Sequence, residues 1–355
     1  MISKKGFYKI AEPKIEMKIL YAIQGTGNGH VSRAKEIIPL LQRYGELDIL
    51  VSGTQADVEL PQKLTYKFHG FSYVFGKNGG INYWKTIRQI NLLRFWKDMM
   101  SIPLDKYDLI VNDFEPLTAW ACKIRKKESV ALSHQASFMS QKTPRPEKKR
   151  FFAEQILKYY APATHHVGFH FSSYDKFIHT PVIRGEIRKL NPYNKGHYTV
   201  YLPAVDDKFL LKYFHQLEHV KWEVFSKHQK TPYKYGNVWV RPINNETYNK
   251  SLESCAGLLT GGGFEAPAEA LYLGKKVLLV PMWDQFEQVC NAEAAHQMGI
   301  TVVNNLKKDF FSKLANWVNN EGAIHVDFPD HTSSIISEVV TKFQNRHQEI
   351  LLNGH

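Results

Sequence analysis

Short apolar runs recur along this chain, each closed by glycine or a polar cluster and followed by hydrophobic positions at helical spacing. In the first half the runs at 19–23, 47–51, 109–111, 130–132 and 166–171 read as strands. In the second half those at 198–202, 222–225, 237–240, 257–260 and 277–281 do the same. Between them the period changes to that of a helix: after the first strand Val31, Ala34, Ile37, Ile38 and Leu41 fall on one face. Residues 65–75 alternate as a further strand, 76–80 form a loop, 151–160 a helix, and 333–352 a long closing helix. Strand–helix alternation in two units predicts two doubly wound α/β domains facing across a cleft.

The segment 81–102 reads as one amphipathic helix. It mixes Trp84, Ile87, Ile90, Leu93, Phe95, Trp96, Met99 and Met100 with Lys85, Arg88, Arg94 and Lys97. Aromatics beside cations suit a membrane interface or an acceptor groove. The plainer expectation is a helix with one face buried on the sheet.

Size and charge narrow the picture. The 355 residues, 43% of them hydrophobic, are enough for two ordinary cores. No apolar run approaches the length of a membrane span, and no signal peptide is evident. Cys122, Cys255 and Cys290 lie far apart without metal-ligand spacing, which fits reduced thiols and a cytoplasmic protein. The net charge of +12 is uneven: residues 1–190 carry +13 and residues 191–355 carry −1. A basic first half expects an anionic partner, or carries its charge for solubility. A peripheral contact with the inner face of a membrane through this half is one expectation; nucleic acid is disfavoured for lack of a recognised motif. Residues 1–16 look unlike the rest of the chain, and Met17 is an alternative start.

The most informative stretch begins at Cys255. A strand feeds Gly261, Gly262 and Gly263, then Phe264 and an alanine-rich helix that bears Pro267 in its first turn and stops at Gly274. Glycines let a backbone approach closely, and the free N–H groups of a helix start favour an anion, so this junction suits a diphosphate. Glu269, early in the helix, is placed for ribose hydroxyls or for solvent. The next strand runs into Asp284 and Gln285, and Asp284, Gln288 and Asn291 fall at i, i+4 and i+7 on one helical face.

This spacing, Thr260-Gly-Gly-Gly-Phe-Glu-Ala-Pro-Ala-Glu269, then Gly274, Pro281, Asp284-Gln285 and Asn291-Ala292, resembles the nucleotide-sugar signature of GT-B glycosyltransferases. The likeness is to UDP-glycosyltransferases and to the bacterial N-acetylglucosaminyltransferase of the lipid-linked peptidoglycan precursor. It implies that the glycine turn holds a diphosphate, that Glu269 holds the ribose, and that Asp284, Gln285, Gln288 and Asn291 contact sugar and nucleotide. Many of those enzymes have His where this chain has Gly261, so backbone donors would replace a side chain there.

The first glycine turn, Gln24-Gly-Thr-Gly27-Asn-Gly29-His30-Val-Ser-Arg33, resembles the loop that opens the acceptor domain of the same enzymes. No acidic residue ends the following strand, as a dinucleotide-binding fold would require. The resemblance implies transfer with inversion, which needs a base for the acceptor hydroxyl; His30 has the right chemistry, the alternative being a histidine that caps or packs at a helix start. A carboxylate should orient it; Asp113 at the end of the 109–111 strand is the candidate, or else an ordinary turn aspartate before Phe114-Glu-Pro. His134, at the end of the 130–132 strand, faces the same cleft or fills a buried hydrogen bond. The basic loop 141–150 touches anionic groups or solvent.

The expected organisation is an acceptor-binding domain at 1–190, a nucleotide-sugar-binding domain at 191–335, and a helix at 336–355 returning to the first domain. The expected activity is metal-independent hexosyl or N-acetylhexosaminyl transfer, with inversion, from a UDP-linked sugar to a lipid-linked or otherwise anionic hydroxyl acceptor. No cofactor beyond that donor is called for. A UDP-sugar 2-epimerase of the same fold and a non-enzymatic binder of anionic glycans are the alternatives.

Overall fold

The computed structural model describes residues 17–53, 60–70, 91–148, 150–320 and 322–353. The first sheet is built from β1 (Met17–Gln24), β2 (Gly45–Ser52), β3 (Tyr66–Phe68), β4 (Leu109–Asp113), β5 (Val130–Ser133), β6 (His165–Phe169) and β7 (Ile178–His179). Its order is β3-β2-β1-β4-β5-β6-β7, every pair parallel. Between the strands run α1 (Asn28–Leu41), α2 (Leu92–Ser101), α3 (Pro116–Ile124) and α4 (Phe151–Tyr159).

The second sheet comprises β8 (His197–Tyr201), β9 (Lys221–Ser226), β10 (Tyr233–Tyr235), β11 (Val238–Pro242), β12 (Gly257–Gly261), β13 (Lys276–Val280) and β14 (Thr301–Val302). The order is β10-β11-β9-β8-β12-β13-β14, parallel except for the β10 edge. One turn of helix, α5 (Gly185–Arg188), lies between the sheets. Then come α6 (Asp207–Phe214), α7 (Asn245–Ser254), α8 (Glu265–Tyr272), α9 (Phe286–Gln297), α10 (Phe310–Asn320) and the long α11 (Thr332–Asn353).

The central strands are apolar on both faces because helices cover both sides, which is why their residues read as runs rather than alternations. In β1, Ile19, Tyr21 and Ile23 face α1 and join one apolar cluster; Leu20 and Ala22 face α2 and α3 in another. The first of these clusters continues through Leu258, Leu271 and Val277 of the second sheet unit, so the two units share a core. Ile336, Val340 and Phe343 of α11 enter the same cluster, and Phe343 packs edge-on against the ring of His165.

Several elements differ from the sequence reading. The helix expected over 81–102 is described only as α2; residues 81–90 lie outside the described set, as do 71–80 and 1–16. Within α2 only Met99 is buried and Phe95 packs beside it half-buried, while Leu92, Leu93, Trp96 and Met100 are exposed, so a narrow stripe rather than a whole apolar face meets the core. The short edge strands β7, β10 and β14 carry too few residues for a sequence period to register. The helix after β8 stops at Phe214, and Leu217 just beyond it still packs in the core. Among the described residues no helix is long and apolar enough to cross a membrane.

Candidate active site

Parallel strands deliver their C-terminal ends to one side of a sheet, and the two sheets turn those ends toward each other. In the first unit β1 leads into Gly25–Gly29 and α1. Gly27, at φ +98°, occupies the left-handed region that a side chain resists, and so turns the chain into the helix. His30 comes next in the first turn, 9% exposed.

Asp113 ends β4 and is completely buried. Beyond it the chain makes a tight turn. The Asn112 side chain accepts from Glu115 N–H at 2.9 Å and donates to Glu115 O at 2.8 Å. The Glu115 carboxylate then caps α3 by accepting from Leu117 and Thr118 N–H. This turn forces Phe114 to φ +56°, an uncommon conformation for a bulky residue, and its ring lies parallel to that of His30 at 6.2 Å.

Asp113 Oδ1 lies 2.7 Å from His30 Nδ1. The carboxylate also accepts two bonds from Arg33, Nε at 3.0 Å and an Nη at 2.6 Å, and one from the Tyr21 hydroxyl at 3.4 Å. Burial pushes the Asp113 carboxyl toward its neutral form, but Arg33 and His30 outweigh that and hold it below the usual carboxylate range. Tyr21 moves the other way: burial and the adjacent carboxylate hold its phenol far above the ordinary value, so it is a neutral donor. The other Arg33 Nη reaches across to Glu265 Oε1 of α8 at 2.5 Å. Arg33 is only 3% exposed, and sequence reasoning assigned no role to it or to Glu265. Arg33 lies three residues after His30, hence on the same helical face, and that spacing is the signal that could have found it.

On the opposite wall, Gly262 sits where a Cβ would come 2.8 Å from Gln288 O and 2.9 Å from Gln288 Cβ, so the turn packs directly on α9. Gly263 faces open space. Gln288 Oε1 accepts from Met282 N–H at 3.0 Å, and its amide donates to Gln285 at 2.7 Å. Asp284 is exposed just ahead of α9 rather than on the helix itself. Asn291, completely buried, donates to Gly262 O at 3.1 Å, and its side-chain oxygen lies 2.8 Å from His134 Nε2. Phe264 stacks on the His134 ring at 3.9 Å, with the two planes 6° apart. Asn291 and Phe264 are therefore joints between the two units in this structure, not open contacts to a crevice. His134 takes the buried alternative: its Nδ1 donates to Phe169 O at 2.8 Å, and burial lowers its basicity.

Glu269, 3% exposed, is held by Arg184 from the connecting segment through Nε at 2.5 Å and an Nη at 2.8 Å. Arg184 also donates to Asn245 Oδ1 at 2.9 Å. Burial raises the Glu269 carboxyl against the opposing pull of Arg184. The Glu269 side chain is thus already oriented by a fork of donors. Arg145 in the basic loop is committed to the carbonyls of Phe138, Ser140 and Thr143, and Arg150 to Trp283 O, so these cations brace the loop and the domain contact. Among the described residues no cluster of three or more His, Cys, Asp or Glu side chains is placed to hold a metal.

The arrangement sets a carboxylate-oriented imidazole on one wall and a glycine turn with a helix start on the other. Residues 17–319 match the family model described as Glycosyl transferase family 1. No curated protein matches the sequence significantly. Among solved structures, MurG of Acinetobacter baumannii is similar over 92% of this chain and 99% of its own, at 14% identity and a TM-score of 0.54. Arabidopsis thaliana UGT89C1, solved in complex with UDP, is similar over 92% of this chain and all of its own, at 12% identity and a TM-score of 0.52. SsfS6, a Streptomyces glycosyltransferase, is similar over 93% of this chain and 96% of its own, at 11% identity and a TM-score of 0.53. These likenesses establish the GT-B fold.

Proposed function

Because this chain belongs to glycosyl transferase family 1, we propose that it moves a sugar from a UDP-linked donor to a hydroxyl acceptor with inversion at the anomeric carbon. The observation that carries this reading is the His30–Asp113 pair at the start of α1, against which the start of α8, just after Gly261–Gly263, packs through Gly29 and Arg33. Asp113 takes the Nδ1 proton of His30 in a hydrogen bond and leaves Nε2 as the base. The acceptor hydroxyl loses its proton to Nε2 as its oxygen forms a bond to the sugar carbon, and the bond from that carbon to the diphosphate oxygen breaks. Backbone N–H groups at the start of α8 receive the developing diphosphate charge, so the residues present suffice for the leaving group.

In this reading Glu269 binds the ribose and Asp284, Gln285 and Gln288 meet the nucleotide and sugar. Asn291 acts by holding Gly262 in place. A lipid-linked or otherwise anionic acceptor is supported by the +13 charge of residues 1–190 and by the exposed apolar side chains of α2 and α4. A peripheral contact with an anionic membrane is supported by the same surface.

The deciding experiment is calorimetric titration with UDP, GDP and TDP in the native protein and in Glu269→Ala. Selective UDP binding that weakens at least tenfold in the variant is expected. Absence of binding by any nucleoside diphosphate overturns the donor assignment.

A further inference from the structure

Arg33 stands between two carboxylates contributed by different units. Asp113, from the end of β4, accepts two bonds from it at 3.0 and 2.6 Å; Glu265, from the first turn of α8, accepts one at 2.5 Å. The Arg33 side chain is 2% exposed and that of Glu265 26%, so only the Glu265 end of the trio meets solvent. Burial works against the Arg33 charge, and the two carboxylates more than restore it.

We propose that Arg33 is a positioning residue and that Glu265, through it, lets the second unit set the strength of the His30 base. The inference rests on the reading of His30 as the base. Its physical reason is the charge count. Asp113 and Arg33 alone sum to zero, so the carboxylate that should stabilise a protonated imidazole is cancelled by its own neighbour. With Glu265 attached the trio carries −1, and His30 again faces net negative charge. The base is therefore at full strength when α8, which begins right after the glycine turn, lies against α1.

A second observation supports a built contact. A Cβ at Gly29 would fall 2.3 Å from Glu265 Oε2, so the carboxylate reaches Arg33 only because position 29 has no side chain. A glutamate serving the helix start alone would have no reason to lean on the opposite domain. The charged groups in contact with His30 are Asp113 from β4 and Arg33 from α1; behind them stand Tyr21 from β1, on Asp113, and Glu265 from α8, on Arg33. Phe114 adds a ring without a charge.

The test tracks the imidazole directly. Histidine-labelled protein is titrated by NMR, with the His30 signal identified by its loss in His30→Gln. Glu265→Gln is expected to move the His30 titration to lower pH by about half a unit to one unit, and Arg33→Met to move it higher by a similar amount. In the Arg33→Met background the Glu265→Gln shift should shrink to less than half, because Arg33 no longer holds the partly exposed Glu265 carboxylate beside the site and water screens its charge. Arg33→Lys and Glu265→Asp serve if either variant unfolds; the former should move the titration less than Arg33→Met.

An unmoved titration in Glu265→Gln, or an equal shift in both backgrounds, overturns the proposal. With a donor in hand, the acid limb of kcat should move with the NMR titration across the series. NMR shifts that the rate does not track would retire His30 as the base while leaving the Glu265–Arg33 coupling intact, so the two failures are distinguishable.

Discussion

His30 Nδ1 lies 2.7 Å from Asp113 Oδ1, with Asp113 wholly out of solvent. An ionised carboxylate only accepts, so the ring proton on Nδ1 points at Asp113, and the Arg33 Nη 3.1 Å from the same nitrogen gives its hydrogen to Asp113 Oδ1 instead. Replacing His30 by Ala is expected to lower kcat by a factor on the order of 10² to 10⁴ while the melting temperature stays near that of the native protein. Asp113→Asn should lower kcat within the same range by releasing the tautomer. Steady-state kinetics beside thermal melts separate these losses from unfolding.

Truncating Asp113 altogether has a second consequence. Asp113→Ala leaves Arg33 buried with only Glu265 to pair it, and is expected to cost about 3–5 kcal/mol in urea unfolding. Truncating Glu265, at the exposed end of the trio, should cost much less.

The glycine turn offers a clean contrast. Gly262→Ala must push into Gln288 and Pro281, and should destabilise by about 1–3 kcal/mol. Gly263→Ala meets no atom within 4 Å, so its melting temperature should hold, whereas UDP affinity should fall if a diphosphate rests on that backbone. Paired melts and calorimetry check both.

Asn291→Ala removes an amide that joins Gly262 O to His134. Two buried partners lose a hydrogen bond, and a loss of about 1–3 kcal/mol is expected from the unsatisfied groups. A melting temperature unchanged from the native protein would show that the joint between the units does not depend on this bridge.

His170 is completely buried, its Nδ1 accepts from Phe171 N–H at 2.9 Å, and burial holds its basicity well below the ordinary histidine value. The folded value lies below the unfolded one, so as pH drops through the unfolded histidine range the unfolded chain gains a proton that the fold does not. Stability should therefore fall from pH 7 to pH 5 by up to about 1.4 kcal/mol per pH unit for this ring. His170→Gln keeps an acceptor for Phe171 N–H without a titrating ring, and should flatten part of that slope in pH-dependent melts.

Much of this was visible along the chain because it is local. Apolar runs bounded by glycine marked the central strands of both sheets, and the glycine turns marked where helices start. His30 stood out by its place after such a turn, and Asp113 by ending a strand. The partners that sit beside them were harder to see. Arg184 lies 85 residues from Glu269, and Glu265 lies 232 residues from Arg33; neither pairing has a period or a spacing to betray it. The exposure of α2 was equally hidden, since an amphipathic pattern does not say which face finds a partner.

The sequence by itself determined the two α/β units, their glycine turns and the residue types fit for base and anion chemistry, because period and turn propensity are short-range. Tertiary structure alone decided which groups are spent on one another. Asn291 and Phe264 close the joint with His134, Arg184 takes Glu269, and Arg33 ties Asp113 to Glu265. Burial removes water as a partner, and each buried charge or amide must then find its complement on whatever strand end the fold brings near.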